Sequence, residues 1–337
     1  MRRRTFIAGA LCLGSAALGC DKKSGAAAAG SGGAEGRLRI AVIPKGTTHE
    51  FWKAVHAGAA KASKELDVDV VWKGPLKEDD LKNQVDLVQS FTAQGVSGIV
   101  LAPLNDKALI ASVKGATRAK IPVVIFDSAL AGGDTVSFVA TDNRAAGRLA
   151  GDRMAELVGK DGKVVLLRYQ EGSASTFERE EGFLEAIKKH SGITLVSDNQ
   201  YGGATTETAF SASESLLLAK GGDKGEIGGV FCPNESTTFG MLLALQKAKL
   251  TGKIRFIGFD ASDKLVQGVK AGEIDALVLQ DPFHMGYTAV KTMVTHLRGG
   301  KAESRIDTGA TLVSKANMEK PEVARLLKPE IDKWLGK

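Results

Sequence analysis

Cysteine is scarce in this chain: three among 337 residues, at Cys12, Cys20 and Cys232. Cys12 falls in an N-terminal targeting segment and Cys20 at its processing point, so the folded part keeps Cys232 alone and no internal disulfide is possible. Cys232 reads as a small buried apolar residue at a strand end rather than a catalytic thiol. Aromatic residues are few, 6%, whereas glycine reaches 40, a balance suited to many short turns between strands and helices. The N-terminal apolar run, Phe6 to Leu18, falls short of the roughly 20 residues that span a bilayer as a permanent helix. Charge of one sign is also lacking. Formal net charge is +6, but removing Arg2, Arg3 and Arg4 leaves 42 basic against 39 acidic residues, an excess of +3. That excess makes no case for a nucleic-acid binder. Walker A, Gly-x-Gly-x-x-Gly and Gly-x-Ser-x-Gly strings are missing, which removes support for nucleotide binding and for a serine-hydrolase elbow. The segment Thr48 to His56 (THEFWKAVH) has two histidines, but seven residues apart, with Lys53 where a zinc-binding helix needs the second. No nucleophile and base pair up, so the expectation is a protein that is not an enzyme and uses no metal and no cofactor.

What is present is globular and ordered in its periodicity. Apolar residues make up 43% and charged residues 25%, which excludes wholesale disorder, and the length suits about two domains. Residues 1–20 form an export signal: a basic head at Arg2-Arg3-Arg4, the short apolar run, and small residues before Cys20. The arginines ahead of Thr5-Phe6 resemble a twin-arginine signal, with an ordinary secretory route as the alternative. Ala17-Leu18-Gly19-Cys20 looks like a lipoprotein processing site with Cys20 as the lipid-modified first residue. The usual leucine three places before the cysteine is replaced by Ala17, so cleavage and release is the alternative. Residues 21–36 (DKKSGAAAAGSGGAEG) read as a flexible tether. The protein is therefore expected in the periplasm or cell envelope, touching the membrane only through a lipid anchor.

From Arg37 onward short apolar runs alternate with amphipathic stretches. Strands are expected at 37–44, 68–72, 97–102, 122–126, 163–168, 193–197, 227–231, 254–259 and 276–280. Helices are expected at 50–66, 81–94, 107–119, 177–189, 206–219 and 236–248. Strands that are apolar nearly throughout indicate parallel sheets covered on both faces. The fold class predicted is α/β, with two doubly wound parallel-sheet lobes. In such sheets ligands sit outside the carboxyl ends of the strands, and the residues just after these strands are unusually polar: Lys45, Asp127, Asn234, Asp260 and Gln280.

Several strings, taken in order, resemble the periplasmic sugar-binding proteins of ABC importers. The likeness is to the ribose-binding branch, whose type I fold is shared with the ligand domain of LacI-type repressors. They are the aromatic pair Phe51-Trp52 opening the first helix, IPVVIFDS (Ile121 to Ser128), FEREEGF (Phe177 to Phe183), VFCPNESTTFGMLLAL (Val230 to Leu245), FIGFDAS (Phe256 to Ser262) and LVLQDPFHMG (Leu277 to Gly286). The resemblance implies that Asp127, Arg179, Asn234, Asp260 and Gln280 bind ligand and that Phe51 and Trp52 cover a sugar ring. It implies a three-strand hinge near Thr141-Asp142, Gln280-Asp281 and Asp307-Gly309. The N-terminal lobe is then 37–141 plus 281–307, and the C-terminal lobe 142–280 plus 308–337. The chemistry suits a polyol, because carboxylates accept, a guanidinium donates as a fork, and carboxamides do both. Ring faces cover the apolar C–H side of the sugar.

The sequence also departs from the family. Ser128 stands where ribose binders carry arginine, and His49 where an asparagine is usual; Lys45 and His49 are the more basic candidates for the site. Tyr201 lies near a further ring position of the family. The expectation is a monomeric receptor that captures a small sugar or polyol and delivers it to an ABC permease, without nucleic acid. A sugar acid, a nucleoside or another small polar ligand is the alternative, as is a receptor coupled to a sensor.

Overall fold

The computed structural model describes residues 36–336. The export signal, Cys12, Cys20 and nearly all of the tether lie outside the described residues. Two six-stranded sheets organise the chain. The first is built from β1 (Arg39–Ile43), β2 (Asp69–Trp72), β3 (Gly98–Leu101), β4 (Val123–Phe126), β5 (Ser137–Ala140) and β11 (Arg305–Asp307), in the order β11-β5-β4-β3-β1-β2. The second contains β6 (Lys163–Arg168), β7 (Thr194–Tyr201), β8 (Gly229–Phe231), β9 (Arg255–Phe259), β10 (Ala276–Leu279) and β12 (Thr311–Val313), in the order β12-β10-β9-β8-β6-β7. All pairings are parallel except β10 with β12. β3, β4, β8 and β10 are buried at every residue, which is why they read as unbroken apolar runs.

The helices are α1 (Glu50–Glu65), α2 (Leu81–Ala93), α3 (Ile110–Arg118), α4 (Asn143–Val158), α5 (Ala174–Lys188), α6 (Thr206–Ala219), α7 (Glu235–Lys247), α8 (Asp263–Ala271), α9 (Pro282–Leu297), α10 (Pro321–Leu327) and α11 (Ile331–Leu335). None of the described helices is long and apolar enough to cross a membrane. The chain passes between sheets after β5, after β10 and after β11. α9 starts with Pro282 behind an Asp281 cap, whose carboxylate accepts from His284 N at 3.0 Å. α9 then returns to pack on α1.

Eight elements were not among those expected: β5, β11, β12, α4, α8, α9, α10 and α11. β5 is short and follows the Gly132-Gly133 turn, and α4 is rich in alanine, glycine and arginine, with few large apolar residues to mark its face. β7 runs on to Tyr201, farther than the 193–197 expected, and leaves that ring 44% exposed at the sheet edge. The tail was expected wholly with the second lobe, but it divides. Met318 and Val323 join the core around β8–β10, whereas α11 lies against α1.

The same device tightens each lobe. A Cβ on Gly58 would strike the Phe283 carbonyl, and one on Gly286 the Val55 carbonyl, so α1 and α9 touch backbone to backbone. In the other lobe Gly147 faces the Arg179 carbonyl and Gly182 the Arg144 carbonyl, joining α4 to α5. An added methyl has only rigid backbone to push against. Gly58→Ala is accordingly expected to lower stability by about 1–3 kcal/mol, measurable as a fall in the urea midpoint at unchanged slope.

Candidate functional site

The strand ends of both sheets and the starts of α1, α5 and α7 converge on one cavity of about 20 Å³. That is space for about one water molecule. Lys45, His49, Phe51, Trp52, Asp127, Arg179, Asn234, Asp260 and Gln280, the residues singled out by sequence, all line it. Tyr201 does not. Glu78, Tyr169, Ser175, Thr176 and Glu235 complete the wall.

Asp127 and Asp260 occupy equivalent places, each directly after a strand ending in phenylalanine (β4 and β9). Both have left-handed backbone, φ 60° and 66°. Aspartate tolerates this conformation better than most non-glycine residues. The turn places a carboxylate at the strand end in each lobe. Lys45 Nζ stands 3.1 Å from Asp127 Oδ2 and donates to Ser173 and Ser175 Oγ at 3.3 and 2.9 Å, reaching from the first lobe to the second. Asp260 accepts from Gln280 Nε2 at 2.8 Å and from the Glu235 backbone at 3.1 Å.

Arg179 lies buried over the Phe259 ring, 4.0 Å from its centroid, donating to Asn143 Oδ1 at 2.8 Å and the Pro233 carbonyl at 3.0 Å. Asn234 caps α7: its Oδ1 accepts from Thr237 N at 3.2 Å and Thr237 Oγ1 at 2.6 Å. Phe51 and Trp52 meet edge to face at 4.9 Å, and both belong to the core of the first lobe as well as to the cavity wall.

Glu78 is the centre of a network that sequence reading missed. Its Oε1 receives Trp52 Nε1 at 2.6 Å and faces His49 Nδ1 at 2.7 Å, while its Oε2 accepts the Tyr169 hydroxyl at 2.7 Å from the other lobe. Burial alone would push the His49 pKa down, but the Glu78 charge and hydrogen bond outweigh it and raise the imidazole to about 9. Burial alone would push the Glu78 carboxyl up; His49, then Lys45 and Trp52, bring it to about 2. The pair is therefore an ion pair at neutral pH. Glu235 also bridges the lobes, its carboxylate accepting Glu50 N and Phe51 N at 3.2 and 3.0 Å at the start of α1. Burial raises it to about 7, against the pull of His49.

The sequence signal for Glu78 was hidden in Lys77-Glu78-Asp79-Asp80, which reads as a solvated charge run. Tyr169 follows β6 directly and was within reach of the strand-end rule applied elsewhere. Ser128, noted as a departure, accepts the Ser175 backbone N–H at 3.0 Å across the lobes.

Among the described residues three buried polar atoms of this cluster find no hydrogen-bond partner: Asp127 Oδ2, Arg179 Nη2 and Gln280 Oε1. The lysine near Asp127 Oδ2 pairs with it as a charge but not in hydrogen-bond geometry. Such atoms are costly unless something else satisfies them. Among the described residues no grouping of histidine, cysteine and carboxylates fits a metal ion. Cys232 is buried, and burial holds its thiol pKa well above the usual value.

Comparison with known proteins gives one consistent set. Residues 40–301 match the family described as periplasmic binding protein domain. The ribose import binding protein of Haemophilus influenzae is 30% identical over 290 residues, covering 86% of this chain and 95% of the relative. A carbohydrate transporter solute-binding protein from Agrobacterium radiobacter, solved with D-arabinose, superposes with a TM-score of 0.82 at 35% identity, over 87% of this chain and 99% of that one. An ABC transporter solute-binding protein from Agrobacterium vitis, with bound D-fucose, superposes with a TM-score of 0.81 at 36% identity, over 86% and 99%.

Proposed function

The chain belongs to the periplasmic binding protein family, and from that premise we propose that it is a receptor for a neutral sugar, held between the lobes and passed to an ABC permease. The observation that carries this is the convergence of Asp127 Oδ2, Arg179 Nη2 and Gln280 Oε1, two acceptors and a donor buried without hydrogen-bond partners around one cavity. Sugar hydroxyls donate and accept in neighbouring positions and so satisfy such a set.

Glu78 and Glu235 favour a neutral ligand over a sugar acid. On sequence alone Lys45 and His49, the more basic candidates, keep an acidic sugar open. In the structure Lys45 stands beside Asp127, His49 beside Glu78, and Arg179 Nη1 4.0 Å from Asp260, with Glu235 in addition. Each cation of the wall thus has a carboxylate beside it, which favours a neutral ligand over one that brings a further carboxylate. The space of about 20 Å³ admits no ring as it stands, so the lobes part to take the sugar and close around it. Wall residues come from both lobes, so the ligand shifts the equilibrium toward the arrangement in which both sets reach it. The protein acts as a binder rather than a catalyst, as an exported monomer. Cys20 is its lipid anchor and residues 21–36 its tether.

A thermal-shift and calorimetry panel of neutral pentoses and hexoses, sugar acids and nucleosides tests the reading. Neutral sugars are expected to raise the melting temperature, and a response confined to another class overturns it. Asp260→Ala is expected to weaken affinity for the best sugar by about 1.5–3 kcal/mol, the range for hydrogen bonds to a charged group. Unchanged affinity in calorimetry removes Asp260 from the site.

A further inference from the structure

A second cavity, of about 430 Å³, adjoins the first. Phe51, Asp260 and Gln280 line both spaces, so these three side chains are the partition between them. The outer wall is the C-terminal tail, with Leu326, Leu327, Lys328, Pro329, Ile331 and Asp332. The family match ends at residue 301, so this wall lies beyond the matched region. The tail is built to stay there: Val323 is buried in the second lobe, Arg325 pairs with Asp281 at 2.7 Å, and α11 rests on α1 of the first lobe.

We propose that this cavity is a second compartment of the ligand site, which takes a second sugar ring linked to the one bound at Asp127 and Arg179. The inference rests on the sugar-binding reading above. The volume falls within the range of about 300–1,000 Å³ usual for small-ligand sites. The lining mixes apolar surface from Leu279, Leu327 and Ile331 with polar groups from Lys53, Ser262 and Asp263. That mixture matches a sugar ring, which has an apolar C–H face and a hydroxyl rim. Gln280 supplies the link. Its Nε2 is held by Asp260, but its Oε1, buried at the partition, has no partner. A ring whose hydroxyl is accepted there has its neighbouring edge at the partition, and an oxygen-linked substituent on that edge leads into the larger space. A site enclosing a single ring on all sides rejects every such substituent by steric overlap, and this one accepts the substituent at the position facing Gln280.

The test is calorimetry on the full mature chain. The tightest neutral monosaccharide of the panel is compared with its methyl glycosides and with disaccharides containing it. At least one linked sugar is expected to bind within tenfold of the parent. If all bind more than tenfold more weakly while the parent binds, the second compartment is refuted and the sugar reading stands; if no sugar binds, both fall. A chain ending at Lys328 loses α11, and Ile331→Trp narrows the cavity from its outer wall. In each, the affinity ratio of linked sugar to parent is expected to drop at least fivefold. Circular dichroism establishes which variant is folded, and an unchanged ratio in a folded variant also refutes the proposal.

Discussion

Arg179→Ala is expected to abolish measurable sugar binding and to cost about 3–5 kcal/mol of stability, the penalty for breaking a buried charge pair by removing one partner. The buried guanidinium has many tasks. It donates to Asn143 and to the Pro233 carbonyl, covers the Phe259 ring, and is the nearby cation for Asp260. Alanine leaves the Asp260 carboxylate buried with only Gln280 and a backbone N–H to support it. Burial already raises the Asp260 pKa from its ordinary value even with Arg179 beside it, and without the cation that rise becomes larger. Urea unfolding reads the stability loss, and calorimetry below the unfolding transition reads the loss of binding. A variant with wild-type stability would show that the charge at Arg179 contributes nothing net.

Glu78→Gln has the second largest expected effect, and pH separates it from a generic loss of packing. His49 is raised from 6.5 to about 9 in the folded protein. A raised base contributes stability that is complete below pH 6.5 and is lost as pH climbs through about 9. Glu78 is lowered from 4.5 to about 2, so its contribution is present above pH 4.5 and is lost as pH falls through about 2. These are two views of one pair and count once, as about 3 kcal/mol. Glu235 and Glu180, both raised by burial to about 7, also lower stability with rising pH, but chiefly between 4.5 and 7. The interval from pH 7 to 8 therefore isolates His49, because the raised Cys232 thiol begins to lower stability only near pH 9. Wild type is expected to lose stability across that interval, and Glu78→Gln is expected to start lower and stay flat. Parallel curves for the two proteins would refute the ion pair. Because Tyr169 reaches Glu78 from the other lobe, the variant is also expected to bind sugar more weakly.

Strand ends were the most legible part of the sequence. Asp127, Asp260 and Gln280 follow apolar runs directly, and a polar residue at the mouth of a buried parallel strand has few other places to be. Arg179, midway along a helix beside three glutamates, was not separable from a surface ion pair by pattern; the family resemblance singled it out. Glu78 was not legible because its partners are remote in sequence: His49, Trp52 and Tyr169 come together only through the tertiary fold. α4 was lost for a related reason. Its buried face carries Ala146, Gly147, Ala150 and Gly151, small because α5 presses against them, and small residues leave almost no hydrophobic period to detect.

The backbone contacts at Gly58, Gly286, Gly147 and Gly182 bear on mechanics as well as on stability. Helices locked at such short range cannot slide past one another, so each half of the molecule behaves as a stiff block. Compliance is then left to the connecting segments, where Thr141 Oγ1 donates to the Gly309 carbonyl at 3.1 Å and Asp307 Oδ1 accepts from Asp142 N at 3.0 Å. Substitutions at Thr141 should therefore alter how fast a bound molecule escapes while leaving its contacts in the captured state as they were.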